Sequence, residues 1–368
     1  MKLFFTSLLT LVVILTANAQ FSETRIIDQC RPCQPKDVQS ADFDNDGDND
    51  ILIAGFAKGE VAIIRNEGGG VFGEPEIIMT GDFLMNAIYP GDLNNDGWTD
   101  IVFAGANGIS IGFIRNDGEG NFGNYQTIST SITEAHDIST ADLDNDGWLD
   151  LVVAARYEDR IYWFRNQAGL GFSNQMILAV NMVSTLGFAT GDMDNDGDID
   201  IFIPADAAAS TSLSWSRNDG NGNFTTASFP VPPSVAWQVT GWGLGDMDND
   251  GDLDVVTATL VDSRLRWHRN DGDGNFSLPI IIPSGSLLVW PDRLDLADLD
   301  NDGDLDIILA AGGSDAALVY ANNGNSTFSA PFTIANDLNY VRSVHATALN
   351  EDGLIDLVAV SYNDHEVV

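Results

Sequence analysis

The sequence predicts an all-β fold, a seven-bladed β-propeller built from four-stranded blades, and three observations predict it. A nine-residue acidic segment, Asp42-Phe-Asp-Asn-Asp-Gly-Asp-Asn-Asp50, recurs with variations starting at residues 92, 142, 192, 246, 298 and 348, at intervals of 50, 50, 50, 54, 52 and 50. A second motif keeps phase with it: Arg65-Asn66 then Phe72, Arg115-Asn116 then Phe122, Arg165-Asn166 then Phe172, Arg217-Asn218 then Phe224, and Arg269-Asn270 then Phe276. The sixth unit keeps Asn322 and Phe328 but has Ala321 in place of Arg. Helical periodicity is absent beyond the first 19 residues. Repeats of about 50 residues that can each supply four short strands are the signature of a propeller, with a solenoid of stacked sheets as the alternative.

Within each unit the first strand precedes the acidic loop. The second is a short apolar run after it: Ile51–Ala54, Ile101–Ala104, Leu151–Ala154, Ile201–Ile203, Val255–Val256, Ile307–Ala310 and Leu357–Ala359. Runs this short, bounded by Gly and Asp, suit strands buried on both faces rather than helices. The third strand ends at the Arg-Asn motif. Three residues before each Asn stand Ile63, Phe113, Trp163, Trp215, Trp267 and Val319, read as core between packed sheets rather than as a ligand platform. A Gly/Asn/Asp-rich turn such as Asn116–Asn121 follows, favouring positive φ, and the fourth strand is expected to start at the Phe. Phe21–Asp28 resembles a fourth strand that precedes the first loop, while the last unit stops at Glu366-Val-Val368, before its own. This frame closes a ring, with one blade built from both termini. It leaves the last third strand cut short, as in a fragment of a longer chain.

The ends carry separate signals. Residues 1–19 read as a secretory signal peptide, with Lys2, the apolar run Leu3–Leu15 and a small-x-small cleavage site at Ala17-Asn18-Ala19. The run is shorter than the roughly 20 residues that span a bilayer. The mature chain, from residue 20, is therefore expected to be secreted or held at the cell surface. Cys30 and Cys33 flank Arg-Pro, and a local disulfide is expected in an exported chain. Zinc would need two further ligands, and the four histidines form no matching pair.

The chain has 16 Lys+Arg against 55 Asp+Glu, a formal net charge of −39, with 44% hydrophobic residues. That balance argues against nucleic acid and against an anionic membrane surface, both of which attract bases. The seven nine-residue loops hold 30 of the 55 acids. Self-repulsion on this scale opposes folding unless something neutralises it.

The loops supply the neutralising partner. Asp occupies positions 1, 3, 5 and 9 as Asp42, Asp44, Asp46 and Asp50; Asp142, Asp144, Asp146 and Asp150; Asp192, Asp194, Asp196 and Asp200; Asp246, Asp248, Asp250 and Asp254; and Asp298, Asp300, Asp302 and Asp306. The loop at 92 carries Asp92, Asn94, Asp96 and Asp100. Position 6 is Gly throughout. Alternating oxygens around a Gly turn wrap a hard cation, with Ca²⁺ favoured over Mg²⁺ because it accepts flexible all-oxygen geometry. Position 7 (Asp48, Trp98, Trp148, Asp198, Asp252 and Asp304) is expected to offer its backbone carbonyl, which explains its variety. An EF-hand would need a Glu at position 12 and flanking helices. Here position 12 is an apolar or Thr residue inside a strand. The seventh loop has Ala348 first, then Asn350, Asp352 and Asp356, and is expected to be weak or empty. Six Ca²⁺ sites follow.

The loop with its following strand, Asp-x-Asp-x-Asp-Gly-x-x-Asp-Ile-x-x-Ala, and the segment Asn-Asp-Gly-x-Gly-x-Phe together resemble the FG-GAP/VCBS-type repeats. These are familiar from the propeller of integrin α subunits and from secreted bacterial proteins. Phe72-Gly73 and Phe122-Gly123 match the Phe-Gly of the name, whereas later units have Phe-Ser or Phe-Thr. The resemblance covers essentially residues 21–368. It implies seven blades with structural calcium on one propeller face and ligands elsewhere, and it implies no activity.

Three functions follow as expectations: an extracellular binding, adhesion or scaffold module, monomeric and with a protein or glycan partner; a glycan-binding lectin; and, least favoured, a polysaccharide-active enzyme. A ligand site must rest on non-repeated residues, since repeated ones serve the blades. The most irregular positions lie six before each loop: Lys36, Asn86, His136, Leu186, Thr240, Asp292 and Arg342. They are expected to ring one mouth of a central channel, opposite the acidic loops. Glu134, Asp137, Arg293 and His345 stand near them, and Trp237, Trp242 and Trp290 are candidates for stacking on sugars. His136 with Glu134 and Asp137 is a candidate acid–base set. No nucleophile or phosphate-loop motif occurs.

Overall fold

Seven four-stranded antiparallel sheets arise from the seven units, six of them with their strands paired in chain order. In this computed structural model residues 27–29, 34–180, 186–204, 213–229, 238–284, 290–335, 338–350 and 352–368 are described. Residues 1–26, Cys30, Cys33 and Trp237 lie outside them. Blade 1 comprises Pro35–Ala41, Asp50–Gly55, Glu60–Ile64 and Glu76–Met79. Blades 2 to 6 repeat this plan. In blade 7, Val341–Thr347, Asp356–Ser361 and Glu366–Val367 are joined by Asp28–Gln29, which pairs antiparallel with Glu366–Val367. Among the described residues the helical content is two short 3₁₀ turns, Arg156–Glu158 and Gly312–Ser314.

The first strands touch one another around the centre, blade 1 meeting both blade 2 and blade 7. Every residue of the second strands Asp50–Gly55, Asp150–Ala155, Asp254–Thr259 and Asp306–Ala311 is buried. A sheet covered on both faces by neighbouring sheets selects such unalternating apolar runs. The core accordingly lies between blades: Val102 and Phe113 of blade 2 pack with Val153 and Tyr162 of blade 3, and Ile51 and Ile53 of blade 1 with Val358 and Val360 of blade 7.

The third-strand position expected to be core is core in all six blades, from Ile63 and Trp267 at 0% exposure to Trp163 at 6%. Its partner is the motif Phe of the following blade. Phe113 meets Phe172, Trp163 meets Phe224, Trp215 meets Phe276 and Trp267 meets Phe328, all edge-on with ring centroids 5.8–6.4 Å apart.

The fourth strands depart from expectation. Phe72, Phe122, Phe172 and Phe328 each make one isolated bridge to the motif Asn, and the strand proper begins four residues later, as at Glu76, Gln126, Met176 and Phe332. The Phe turns inward to its aromatic partner, and Gly, Pro and Asn in the next residues interrupt the ladder. Blade 4 has the β-forming run Phe224-Thr-Thr-Ala-Ser instead, and there the strand does start at the Phe.

Candidate functional site

Two ends of the ring differ in kind. At one end lie the acidic loops, each joining the first and second strands of a blade. The local sequence builds each loop from its own side chains. The position-1 Asp accepts the backbone N–H groups of positions 5 and 6: Asp42 Oδ1 from Asp46 (3.2 Å) and Oδ2 from Gly47 (2.9 Å), a pattern repeated at Asp92, Asp142, Asp192, Asp246 and Asp298. Position 5 accepts from the N–H of position 7, as Asp46 does from Asp48 at 3.0 Å. The turn demands left-handed backbone at positions 4 and 6, for example Asn45 (φ 57°) and Gly47 (φ 101°), the conformations Asn and Gly tolerate best.

The position-9 Asp is fully buried in five loops and 1% exposed in the sixth. Its Oδ2 accepts the N–H of loop position 2 and its Oδ1 that of the motif Asn; for Asp200 the donors are Met193 (2.9 Å) and Asn218 (2.7 Å). Burial pushes these carboxyls up, to about 6 for Asp100 and Asp254 and about 7 for Asp150, Asp200 and Asp306, although the backbone donors work against the rise. The motif Asn side chain then crosses to the preceding blade: Asn116 Nδ2 donates to Phe43 O, Asn166 to Leu93 O, and Asn66 to Leu349 O across the seam with blade 7, at 2.8–2.9 Å.

Carboxylate oxygens converge within 4.8 Å of one another in Asp42/Asp44/Asp46, Asp142/Asp144/Asp146, Asp192/Asp194/Asp200, Asp246/Asp248/Asp250 and Asp298/Asp300/Asp302. One oxygen of the position-3 Asp in four loops, Oδ1 of Asp44, Asp144, Asp194 and Asp248, is buried without a hydrogen-bond donor. The other oxygen faces the motif arginine: Arg165 Nε lies 2.5 Å from Asp144, Arg217 Nε 2.5 Å from Asp194, and Arg269 pairs with Asp248. A donor-free buried oxygen among carboxylates fits a bound cation, since such an atom is otherwise costly. Burial and the neighbouring position-5 carboxylate raise the Asp44, Asp144 and Asp194 acids. In the seventh loop Asn350 Nδ2 donates to both oxygens of Asp356 (3.4 and 3.2 Å), and Ala348 offers no oxygen side chain.

At the other end, all seven residues six positions before the loops line one cavity of about 200 Å³, together with Arg156, Trp242 and Arg293. Arg293 reaches across the channel to Asp137 (3.3 Å) and Asp37 (3.7 Å), linking blades 6, 3 and 1. Arg342 pairs with Asp292 at 2.6 Å, and His345 lies 3.3 Å from Asp295. The suggested acid–base set does not assemble: His136 Nδ1 donates to Leu186 O at 2.7 Å, Glu134 faces Arg156, and Asp137 faces Arg293. Burial, aided by nearby Lys36, holds His136 well below the usual imidazole range. Trp242 is half-buried with its indole N–H donated to Phe188 O (2.8 Å), whereas Trp290 is 58% exposed. The aromatic residues Phe56, Tyr340 and Tyr362 beside Lys36 and Arg342 were not singled out by sequence. A signal existed: Tyr340 stands eight before its loop, in the register of Gln34, Glu134 and Trp290, all with left-handed φ.

A ring of seven four-stranded β-blades with an acidic loop joining the first two strands of each defines a repeat propeller. The chain belongs to the FG-GAP-like repeat family, which matches residues 42–103, 92–153, 142–203, 206–257, 246–309 and 298–359. Among solved structures it is similar to a lectin of Agrocybe aegerita, described for specific recognition of non-reducing terminal N-acetylglucosamine, at 20% identity and a TM-score of 0.63, covering 89% of this chain and 86% of that one. It is also similar to the NanB sialidase of Streptococcus pneumoniae, at 11% identity and a TM-score of 0.50, covering 95% of this chain and 69% of that one. Likeness at these identities concerns the fold. No curated protein sequence matches the chain.

Proposed function

We propose that the protein is an exported, calcium-stabilised β-propeller that serves as an extracellular binding or adhesion module. The observation that carries this reading is the contrast between its ends. One end repeats the same oxygen cage blade after blade, with donor-free buried oxygens on Asp44, Asp144, Asp194 and Asp248. The other presents a different side chain from every blade around one cavity. Uniformity suits structural ions, and variety suits recognition.

The first six loops would hold the ions, through the side chains at positions 1, 3, 5 and 9 and the carbonyl of position 7. Calcium, when bound, supplies positive charge among carboxylates that otherwise repel. The loop at 348, without a first ligand, is left out. Residues 1–19 would direct export, with the mature chain beginning at Gln20.

Calorimetry on the purified chain tests the ion reading. Calcium at 100 times its dissociation constant contributes about 2.7 kcal/mol per site, so EDTA should lower the Tm by many degrees and calcium should restore it. An unchanged melting curve in EDTA would sink the reading.

Glycan recognition is a second reading. It is supported by the likeness to a lectin fold and by Trp242 and Trp290 at the varied end. A glycan array in calcium separates it from a protein-binding role: retention that is lost on Trp242→Ala supports the lectin, and an empty array counts against it.

A further inference from the structure

The chain has few bases, and four of its 16 Lys+Arg converge on the varied mouth: Lys36, Arg156, Arg293 and Arg342. Three have carboxylate partners there, Glu134 for Arg156, Asp37 and Asp137 for Arg293, and Asp292 for Arg342. Lys36 differs. Its ammonium donates to Asn86 Oδ1 at 2.5 Å and lies 5.0 Å from the centre of the Phe56 ring, and among the described residues no carboxylate lies within ion-pair distance of it. Burial, followed by the charges of Arg342 and Arg293, lowers Lys36 to about 7, so its ammonium sits beside two guanidinium groups with no ion pair of its own.

Lys36 and Arg342 also form one wall of an adjoining cavity of about 380 Å³ between blades 1 and 7, completed by Phe56, Tyr340, Tyr362 and Asn363. The rings stand at angles, Phe56 to Tyr362 at 6.1 Å and Tyr340 to Tyr362 at 6.4 Å. They present an apolar box with a cationic edge. The two cavities share Lys36 and Arg342, and in the first of them Asp292 Oδ2, Thr240 Oγ1 and Arg156 Nε are buried without hydrogen-bond partners, polar atoms of the kind a ligand satisfies.

We propose that this cavity binds a carboxylate-bearing sugar unit of the hexuronic acid type, its carboxylate at Lys36 and Arg342 and its ring against Phe56, Tyr340 and Tyr362. A plain anion would have no use for three aromatic walls, and a neutral sugar would leave Lys36 without an ion-pair partner. The volume lies within the range of small-molecule sites. The proposal rests on the binding-module reading and names a ligand class for it.

The test is isothermal titration of the calcium-loaded full chain at pH 6 with glucuronate, glucose and acetate, alongside an Asp/Glu-rich peptide. Glucuronate should bind at least tenfold tighter than the other three. Lys36→Gln and Arg342→Gln should each weaken glucuronate tenfold or more, while Lys36→Arg retains most of the affinity. Tyr362→Leu should weaken glucuronate and leave acetate unchanged. Melting curves in calcium confirm that each variant is folded. Equal binding of glucose or acetate, tighter binding of the peptide, or unaltered affinity in folded Lys36→Gln overturns the assignment. If no ligand binds but calcium still raises the Tm, the pocket assignment alone fails; if calcium has no effect either, the module reading fails with it.

Discussion

At the residue scale, the position-9 aspartates link the chemistry of the loops to the stability of the blades. Asp306 is 1% exposed and satisfies two buried donors, Asn322 N–H at 2.8 Å and Leu299 N–H at 3.1 Å. Replacing it with Ala leaves both without an acceptor, at a cost of about 3 kcal/mol by the usual penalty for unsatisfied buried groups. Urea unfolding of Asp306→Ala in EDTA, where ion binding plays no part, should show that loss; a midpoint equal to the parent's would mean the carboxylate matters only to the ion. Lys36 offers a second check. Since burial and two arginines disfavour its charge, a ¹³C-dimethyl label on Lys36 in the ligand-free chain should titrate near 7, cationic below and neutral above. A midpoint near 10 would show that the amine is not held in this environment.

At the element scale, each third strand works as a tie between neighbours. In blades 2 to 5 its aromatic receives the Phe of the next blade, and the Asn that follows it reaches back to the loop of the previous one. The rims are joined as well, Asn45 Nδ2 donating to Gly97 O (3.3 Å) and Asn95 to Gly147 O (2.8 Å). Asn116→Ala removes the donor to the Phe43 carbonyl and should cost about 2 kcal/mol. Amide exchange should accelerate on both sides of the boundary between blades 1 and 2. Faster exchange confined to blade 2 would show that the tie carries no inter-blade coupling. Asn66 occupies the same place at the seam, where it holds Leu349 O of blade 7.

At the scale of the whole molecule, charge governs behaviour. Six calcium ions would bring −39 to about −27, with the cancellation placed where the acids are densest. Without ions, the buried position-9 carboxyls have folded-state values of about 6 to 7, above the unfolded value of about 3.9. Raised carboxyl values mean that the folded state holds more protons than the unfolded one. Their stabilisation is therefore fully present only in acid and is lost as pH rises through 6 to 7. The EDTA-treated chain should accordingly melt higher at pH 5 than at pH 8, and calcium should reverse the order, because deprotonated loops bind it best. Calorimetry at the two pH values, with and without calcium, decides the matter; a metal-free Tm that climbs from pH 5 to pH 8 would contradict it.

Repetition explains how much could be read from the chain alone. Seven Asp loops, six Asn-to-Phe spacings and the short apolar runs between them are local patterns, and local sterics with burial on both faces leave them one interpretation. The blades, their order, the buried aromatic of the third strand and the ring of seven variable residues at one mouth were all legible for that reason. Two things were not. The fourth strands begin late where Gly, Pro or Asn follows an inward Phe, and the Phe's partner lies in the preceding blade, which the segment itself does not announce. The aromatic box of Phe56, Tyr340 and Tyr362 joins residues some 300 positions apart, from the first blade and the last. Packing of the last blade on the first brings them beside Lys36, a base that the assembled ring leaves without an ion pair among the described residues.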